Sequence, residues 1–161
     1  MNKTAIHTDS APKAIGPYVQ AVSTGTMLYT SGQLGIDVAS GKMADGVEMQ
    51  AHASMKNLGA ILRESGADYA NIVKTTIFLQ DLGDFAVVNG IYESYFDGNF
   101  PARSCVQVAK LPLGGLVEIE AVAALSRRQP ANSPSSASRH VPSSPCAPNL
   151  PMLNWSNDLP S

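Results

Sequence analysis

An arginine and two glutamates stand in consecutive strand-like segments late in the sequence. Side chains alternate between the two faces of a strand, so Arg103 shares a face with Cys105 and Gln107, and Glu118 shares a face with Glu120. The two carboxylates are separated by roughly 6.6 Å of strand rise. Carboxylates held this close, with a guanidinium that could balance them, are groups that enzymes use for proton transfer and charge stabilisation.

The repulsion between Glu118 and Glu120 has two possible consequences. At an effective dielectric of about 20, like charges at this spacing repel by roughly 2.5 kcal/mol, so a buried pair raises one pKa or recruits a cation. Arg103 is a candidate for that cation. The alternative is that both glutamates lie on a wet or subunit-facing side and that Arg103 only completes an ion pair. Spacing alone leaves both interpretations open.

Several other residues have both a chemical and a purely structural interpretation. Cys105 could be a nucleophile, but none of the three histidines is visibly tied to it as a base, which favours a small buried side chain. The Ser31 and Gly32 pair predicts a tight turn, or a backbone N–H exposed to a ligand. Tyr18 follows a stiff turn that could hold a phenol at a cleft mouth, although tyrosines at strand starts more often serve packing. Asn89, polar within an apolar helical stretch, is similarly open to both interpretations.

Composition excludes several classes of function. No His or Cys cluster has metal-ligand spacing, and no dinucleotide-binding or phosphate-loop glycine pattern appears, so neither a metal nor a cofactor is predicted. A net charge of -2 gives no electrostatic footprint for nucleic acid or an anionic membrane. The N-terminus lacks a signal or transit pattern, and no run is long enough to span a membrane, which predicts a cytoplasmic protein.

Hydrophobic periodicity and turn residues predict the elements that position these side chains. The first helix is expected to start with a capping box of Asp45 and Glu48 and to stop at Gly66. The predicted order is β-β-α-β-α-β-β, with or without a further strand near residues 3 to 7: strands at 18–22 and 27–30, a helix at 45–66, a strand at 72–81, a helix at 84–98, and strands at 103–109 and 116–125.

The predicted elements form one domain with an unusual end. Two helices cover only one face of a five- to six-stranded sheet, so the other face needs cover, and self-association in a closed ring supplies it. From residue 129 onward the chain contains seven of its 11 prolines, eight serines and only two charged side chains. Such a composition does not offset the entropy of ordering. We therefore divide the chain into a domain at 1–126 and a Pro/Ser-rich disordered tail at 127–161.

The last two strands resemble the signature of a known family. The segment Pro-Ala-Arg-Ser-Cys-Val-Gln-Val-Ala-Lys-Leu at 101–111, followed by Val-Glu-Ile-Glu at 117–120, resembles the reactive intermediate deaminase (RidA, or YjgF-like) family. Supporting segments in the family's order lie at 14–21, 30–33, 72–76 and 88–93. The resemblance covers about residues 3 to 126.

The resemblance implies a fold, an assembly and a reaction. The fold is α+β and chorismate mutase-like, with a mixed sheet and two helices on one face, and three chains form a homotrimer around a central barrel with ligand clefts between subunits. The reaction is the hydrolysis of 2-imino acids such as 2-iminobutanoate and 2-iminopropanoate to 2-oxo acids and ammonia. These intermediates are released by pyridoxal-phosphate-dependent Ser and Thr dehydratases, and removing them protects other enzymes.

The resemblance also implies roles for individual residues. Arg103 matches the arginine that clamps the substrate carboxylate, a role that suits its fixed fork of donors. Glu118 matches the residue that holds the attacking water, so both are expected to be catalytic. The other substrate-binding positions implied are Tyr18, Ser31, Gly32, Asn89 and Cys105.

Two other functions remain as alternatives. Some relatives are described as ribonucleases or translation inhibitors, although the basic and aromatic surface that RNA binding needs is not evident here. A non-catalytic ligand-binding or chaperone-like trimer is the other alternative, since the cleft could persist without the hydrolytic step.

Overall fold

The computed structural model describes residues 3–125, which contain two α-helices and nine strands, several of them very short. The predicted tail at 127–161 lies outside these residues, so the domain boundary stays a prediction. In chain order the elements are β1 (Thr4–Ile6), β2 (Ala21–Ser23), β3 (Met27–Thr30), β4 (Gln33–Leu34), β5 (Ile36–Asp37), β6 (Lys42–Met43), α1 (Gly46–Glu64), β7 (Ile72–Leu79), α2 (Phe85–Glu93), β8 (Ala102–Gln107) and β9 (Val117–Ala124).

The strands build a mixed sheet that confirms the predicted α+β class. Its order is β1-β2-β3-β9-β7-β8, with β4 also pairing with β9, while β5 and β6 form a separate hairpin. β7 and β8 run parallel, as expected for strands joined through a helix, and the other pairs in this sheet are antiparallel. β8 therefore lies at one edge of the sheet, and β9 lies near its centre.

Alternation along the central strands separates a packed face from an uncovered face. In β9 Val117, Ile119, Ala121 and Ala123 are buried, whereas the residues between them are only partly covered. The buried set packs with α1, whose apolar side, including the fully buried Met55, supplies the other half of the core. This is the period-two pattern of a strand with one face on the core.

The opposite face of the sheet has apolar side chains and no helix over it in the described part of the chain. Tyr29 is 48% exposed and Val106 is 44% exposed. Tyr29 pairs with Val122, and Val106 pairs with Phe78, so all four belong to this face. We call it the open face.

Most of the differences from the predicted elements lie at element ends. The capping box at Asp45 is wrong, because the carboxylate makes no cap hydrogen bond; the chain enters α1 through Gly46 at a φ of 74°, a conformation that favours glycine. The stop at Gly66 is confirmed, with a φ of 76°. α2 ends at Glu93 rather than near Gly98. The strand expected at 3–7 exists as β1, and the short β4, β5 and β6 were not predicted.

Candidate active site

Arg103 projects from the edge strand toward the side of the sheet that carries the helices. The register pairs Arg103 with Thr75, which is fully buried under α2, so both side chains lie on the packed face. The Arg103 guanidinium donates a hydrogen bond of 2.6 Å from Nη1 to Asn89 Oδ1. It also lies 5.1 Å from the centre of the Tyr92 ring and 5.6 Å from that of Phe85. Asn89 and the two rings hold the guanidinium in place by a charge-assisted hydrogen bond and cation–π contacts.

The guanidinium opens onto a cleft of about 380 Å³. We call it the Arg103 cleft, and it is lined by Asn89, Tyr92, Glu93, Phe100, Pro101 and Arg103. Tyr92 is anchored beneath it, since its hydroxyl lies 2.8 Å from the buried Thr75 Oγ1. A fixed cation between aromatic and aliphatic walls is suited to a small organic anion.

Cys105 lies two residues farther along the same face of β8 and is half-buried. Burial raises the pKa of the Cys105 thiol, and the nearby Arg103 opposes that rise only in part. A thiol with a raised pKa carries less thiolate at neutral pH. This environment disfavours the nucleophilic role and is consistent with a packing residue near Arg103.

Glu118 lies on the open face, half-buried beside a tight backbone turn. Burial raises the pKa of the Glu118 carboxyl, and the neighbouring Glu120 raises it further. The raised pKa is the effect predicted for two carboxylates on one face. The Glu118 carboxyl packs so closely on Gly32 that a Cβ atom at residue 32 would overlap it. Gly32 is therefore required for close approach rather than for an unusual φ.

Ser31 connects this turn to the segment that carries Tyr18. The Ser31 hydroxyl donates a 2.6 Å hydrogen bond to the Val19 carbonyl, and its backbone N–H donates to the Gln20 carbonyl. Tyr18 itself is 48% exposed, and its hydroxyl accepts a hydrogen bond from the Ile15 N–H at 3.3 Å. The structure thus brings Ser31, Gly32 and Glu118 together, with Tyr18 on the adjoining segment.

Helix α1 fixes the strands that carry this second group. Gln50 is buried; its Oε1 accepts from the Leu116 N–H at 2.8 Å, and its Nε2 donates to the Ala44 carbonyl. Asn57 donates to the carbonyls of Leu34 and Ile36. These contacts tie the start of β9 and the chain after Gly32 to one rigid helix. Buried amides with satisfied partners give the Glu118 environment a single geometry.

The sequence-based pairing of Arg103 with the two glutamates is wrong within one chain. Thr75 is opposite Arg103 on one side and Ala121 on the other, whereas Glu120 is opposite Thr76. Directly opposed residues point to the same face, so Arg103 and Glu120 lie on opposite faces of the sheet. Lys74 is a cation on the glutamates' face; it lines a small depression with Glu120 and donates a 2.6 Å hydrogen bond to Ser104 Oγ.

The predicted site residues therefore form two groups. Arg103, Asn89 and Cys105 lie on the packed face, and Ser31, Gly32 and Glu118 lie around the open face. The sequence analysis did not predict Tyr92 and Glu93 as site residues. They follow Asn89 by three and four positions, which places them on the same side of the helix as Asn89. Phe100 follows no periodic pattern, so only the folded chain reveals it.

Within residues 3–125 no group of three or more His, Cys, Asp or Glu side chains is arranged to hold a metal ion. None of the described helices has the length and apolar character needed to cross a membrane.

Gly32→Ala tests the close packing against Glu118. We expect the new methyl group to displace the Glu118 carboxyl and to destabilise the fold by about 1 kcal/mol, the low end of the cost of overpacking, because the end of the Glu118 side chain can shift. Urea unfolding followed by circular dichroism measures the free energy of unfolding. Gly90→Ala is the matched control, since a Cβ there meets nothing within 4 Å, and it should lose no stability. Wild-type stability in Gly32→Ala would contradict the close contact.

Sequence comparison identifies one matching protein family and individual proteins of about half identity to this chain. The family model described as Endoribonuclease L-PSP matches residues 8–125. A RutC family protein of Pasteurella multocida is 53% identical over 122 residues, covering 73% of this chain and 95% of the relative. The 2-iminobutanoate/2-iminopropanoate deaminase of Mus musculus is 51% identical over 122 residues, covering 75% of this chain and 90% of the relative.

Solved structures show the same fold. The crystal structure of E. coli TdcF with bound serine matches with a TM-score of 0.74 and 44% identity, covering 76% of this chain and 99% of that one. The fold predicted from the resemblance is thereby confirmed, and the names of the relatives support a deaminase of the same type. Since the family model spans most of the chain and the relatives exceed half identity, the chain belongs to the Endoribonuclease L-PSP family, which is the RidA or YjgF family.

Proposed function

We propose that this protein hydrolyses 2-imino acids such as 2-iminobutanoate and 2-iminopropanoate to 2-oxo acids and ammonia. The observation that carries the proposal is the Arg103 guanidinium, fixed by Asn89 and two aromatic rings at the floor of a cleft. Relatives of about 51% identity are named for this activity, and the structural relative E. coli TdcF was crystallised with bound serine, an amino acid whose carboxylate is of the kind that a guanidinium binds.

Arg103 acts first, by binding the substrate carboxylate. Its planar fork of donors matches the two carboxylate oxygens, and its charge is permanent. Asn89 Oδ1 accepts one of the two N–H groups of Nη1, which leaves the other N–H donors of the guanidinium for the ligand. Substrate binding thereby fixes the imine carbon, and the backbone around Cys105 and the Tyr18 phenol complete the contacts in this proposal.

Glu118 acts next, on a water molecule. A protonated imine carbon is already electrophilic, so the carboxylate needs only to orient the water and accept one proton as the C–O bond forms. The product is a carbinolamine. The carbinolamine nitrogen takes up that proton from Glu118, and the C–N bond then breaks as the C=O bond of the 2-oxo acid forms. The proton of the carbinolamine hydroxyl returns to the Glu118 carboxylate, which passes it to the departing ammonia, so that ammonium leaves and Glu118 is ionised again.

The two groups meet when chains associate. Arg103 and Glu118 lie on opposite faces of one sheet, so a site that contains both requires a second chain. The open face, with Tyr29, Phe78 and Val106, is apolar surface available for that contact. In the homotrimer that we propose, three such faces surround a central barrel and each cleft lies between subunits. Analytical ultracentrifugation of the full chain tests the trimer, and a monomer at micromolar concentration would contradict it.

A coupled assay tests the reaction. A pyridoxal-phosphate-dependent threonine dehydratase generates 2-iminobutanoate in the presence of semicarbazide, which traps the imine in competition with hydrolysis. We expect the protein to decrease trapping and to accelerate release of 2-oxobutanoate. Boiled protein and dehydratase alone provide the baselines. Trapping that is unaffected by stoichiometric protein would refute the proposed activity.

Endoribonuclease activity is the second candidate function, because the matching family is described as Endoribonuclease L-PSP. The net charge of -2 provides little attraction for a polyanion. Assay of wild type and Arg103→Ala with RNA separates the two functions. RNA cleavage at equal rates in both, without imine hydrolysis, would support a different site and a different function.

A further inference from the structure

The Arg103 cleft contains a second charged side chain whose sign is opposite to that of Arg103. Glu93 ends α2 one turn after Asn89, so the helix presents both residues toward the cleft. The rise of a helix places them about 6 Å apart along its axis. The cleft is therefore positive at the guanidinium and negative toward the end of α2.

Arg103 does not neutralise Glu93. Its guanidinium donates to Asn89 and lies over the rings of Tyr92 and Phe85 instead. Glu93 remains exposed and lines the cleft. The wall between the two charges is apolar, because it is formed by the Tyr92 ring, by Phe100, which is 52% exposed, and by Pro101.

We propose that Glu93 sets the side-chain preference of this cleft, disfavouring 2-imino acids with an acidic side chain relative to those with neutral or basic ones. This inference rests on the proposed function. A substrate anchored by its carboxylate at Arg103 extends its side chain along the apolar wall. A substrate side chain of two or three carbons that ends in a second carboxylate brings a negative charge near Glu93. The two like charges repel, which weakens binding of such a substrate. A basic side chain is attracted there.

Small substrates do not reveal the role of Glu93, because their methyl or ethyl side chains end on the apolar wall before they reach its carboxylate. The informative comparison uses imines of similar length and different charge. An amino-acid oxidase with the appropriate specificity generates the imines of methionine, glutamate and arginine, and semicarbazide trapping reports their hydrolysis.

The measured quantity is the ratio of kcat/KM for the methionine-derived imine to that for the glutamate-derived imine. We expect wild type to prefer the methionine-derived imine and Glu93→Gln to reduce the ratio by about two- to fivefold, the range for an exposed charge pair. High salt should reduce the wild-type ratio and leave that of Glu93→Gln nearly constant, a response that a purely structural role would not produce. The arginine-derived imine should lose rate in Glu93→Gln. Glu64→Gln, exposed at the end of α1, is the matched control and should keep the wild-type ratio.

The outcomes separate this inference from the proposed function. If wild type hydrolyses the neutral imine and Glu93→Gln keeps the wild-type ratio, the specificity role is wrong and the hydrolase assignment stands. If wild type hydrolyses none of the three imines or 2-iminobutanoate, both are wrong.

Discussion

Arg103→Ala is expected to lower kcat/KM for 2-iminobutanoate hydrolysis by about 100- to 10,000-fold and to leave the chain folded. The variant removes two charge-assisted hydrogen bonds to the substrate carboxylate, each contributing roughly 1.5 to 3 kcal/mol. The side chain is exposed and makes one side-chain hydrogen bond, to Asn89, so the core is not disturbed. The semicarbazide assay measures the rate, and circular dichroism with thermal melting measures the fold.

Two further variants sharpen the Arg103 result. Arg103→Lys keeps the charge but loses the planar fork of donors, so we expect it to recover only a small part of the lost rate. Arg63→Ala is the matched control, because Arg63 is an exposed arginine in the last turn of α1. Wild-type kcat/KM in Arg103→Ala would overturn the role of the cleft.

Glu118→Gln is expected to lower kcat by about 100- to 10,000-fold, the usual contribution of a general base. KM should change much less, because the carboxylate of the substrate is bound by Arg103. Glutamine preserves the shape of the side chain beside Gly32, so the local packing is retained. Single-turnover kinetics separates the two parameters. A KM effect with unchanged kcat would identify Glu118 as a binding residue only.

The raised pKa of Glu118 gives that prediction a pH signature. The base acts when ionised, so activity should fall as pH falls through the raised pKa, at a pH above the ordinary value of 4.5. Glu120→Gln removes one cause of the raised Glu118 pKa, so the fall in activity on the acidic side of the pH profile should move to lower pH. For stability the sign is opposite: a carboxyl whose folded pKa is raised stabilises the fold at low pH and loses that effect as pH rises through the folded pKa. Glu118→Gln should therefore be more stable than wild type at neutral pH.

Local patterns in the sequence were sufficient to predict the main elements. The alternation in β9 and the helical spacing in α1 each reflect contact with the core, and both were read correctly because the repeat is contained in one segment. The end of α2 depends on distant contacts. Tyr95 and Phe96 continue the helical spacing, but they pack against Tyr69 after the helix has ended. No single-segment pattern reports such packing.

The candidate site was only partly predictable for a related reason. The alternation of each strand correctly gave the partners of Arg103 on its own face and those of Glu118 on its own face. Whether Arg103 and Glu118 lie on the same face of the sheet depends on the register of β7 with both β8 and β9, which is a non-local property. The resemblance supplied candidate residues across the chain. It could not supply the anchoring of Arg103 by Tyr92 and Phe85, which follows from the packing of α2 on β7.

The opposite orientation of Arg103 and Glu118 has a genetic consequence under the proposed assembly. A chain with a defective guanidinium still supplies its glutamate to a neighbour, so one such chain in a ring of three silences a single cleft. Two inactive alleles, one defective at each residue, could then complement each other in a mixed ring, whereas a doubly defective allele would silence two clefts and act more dominantly.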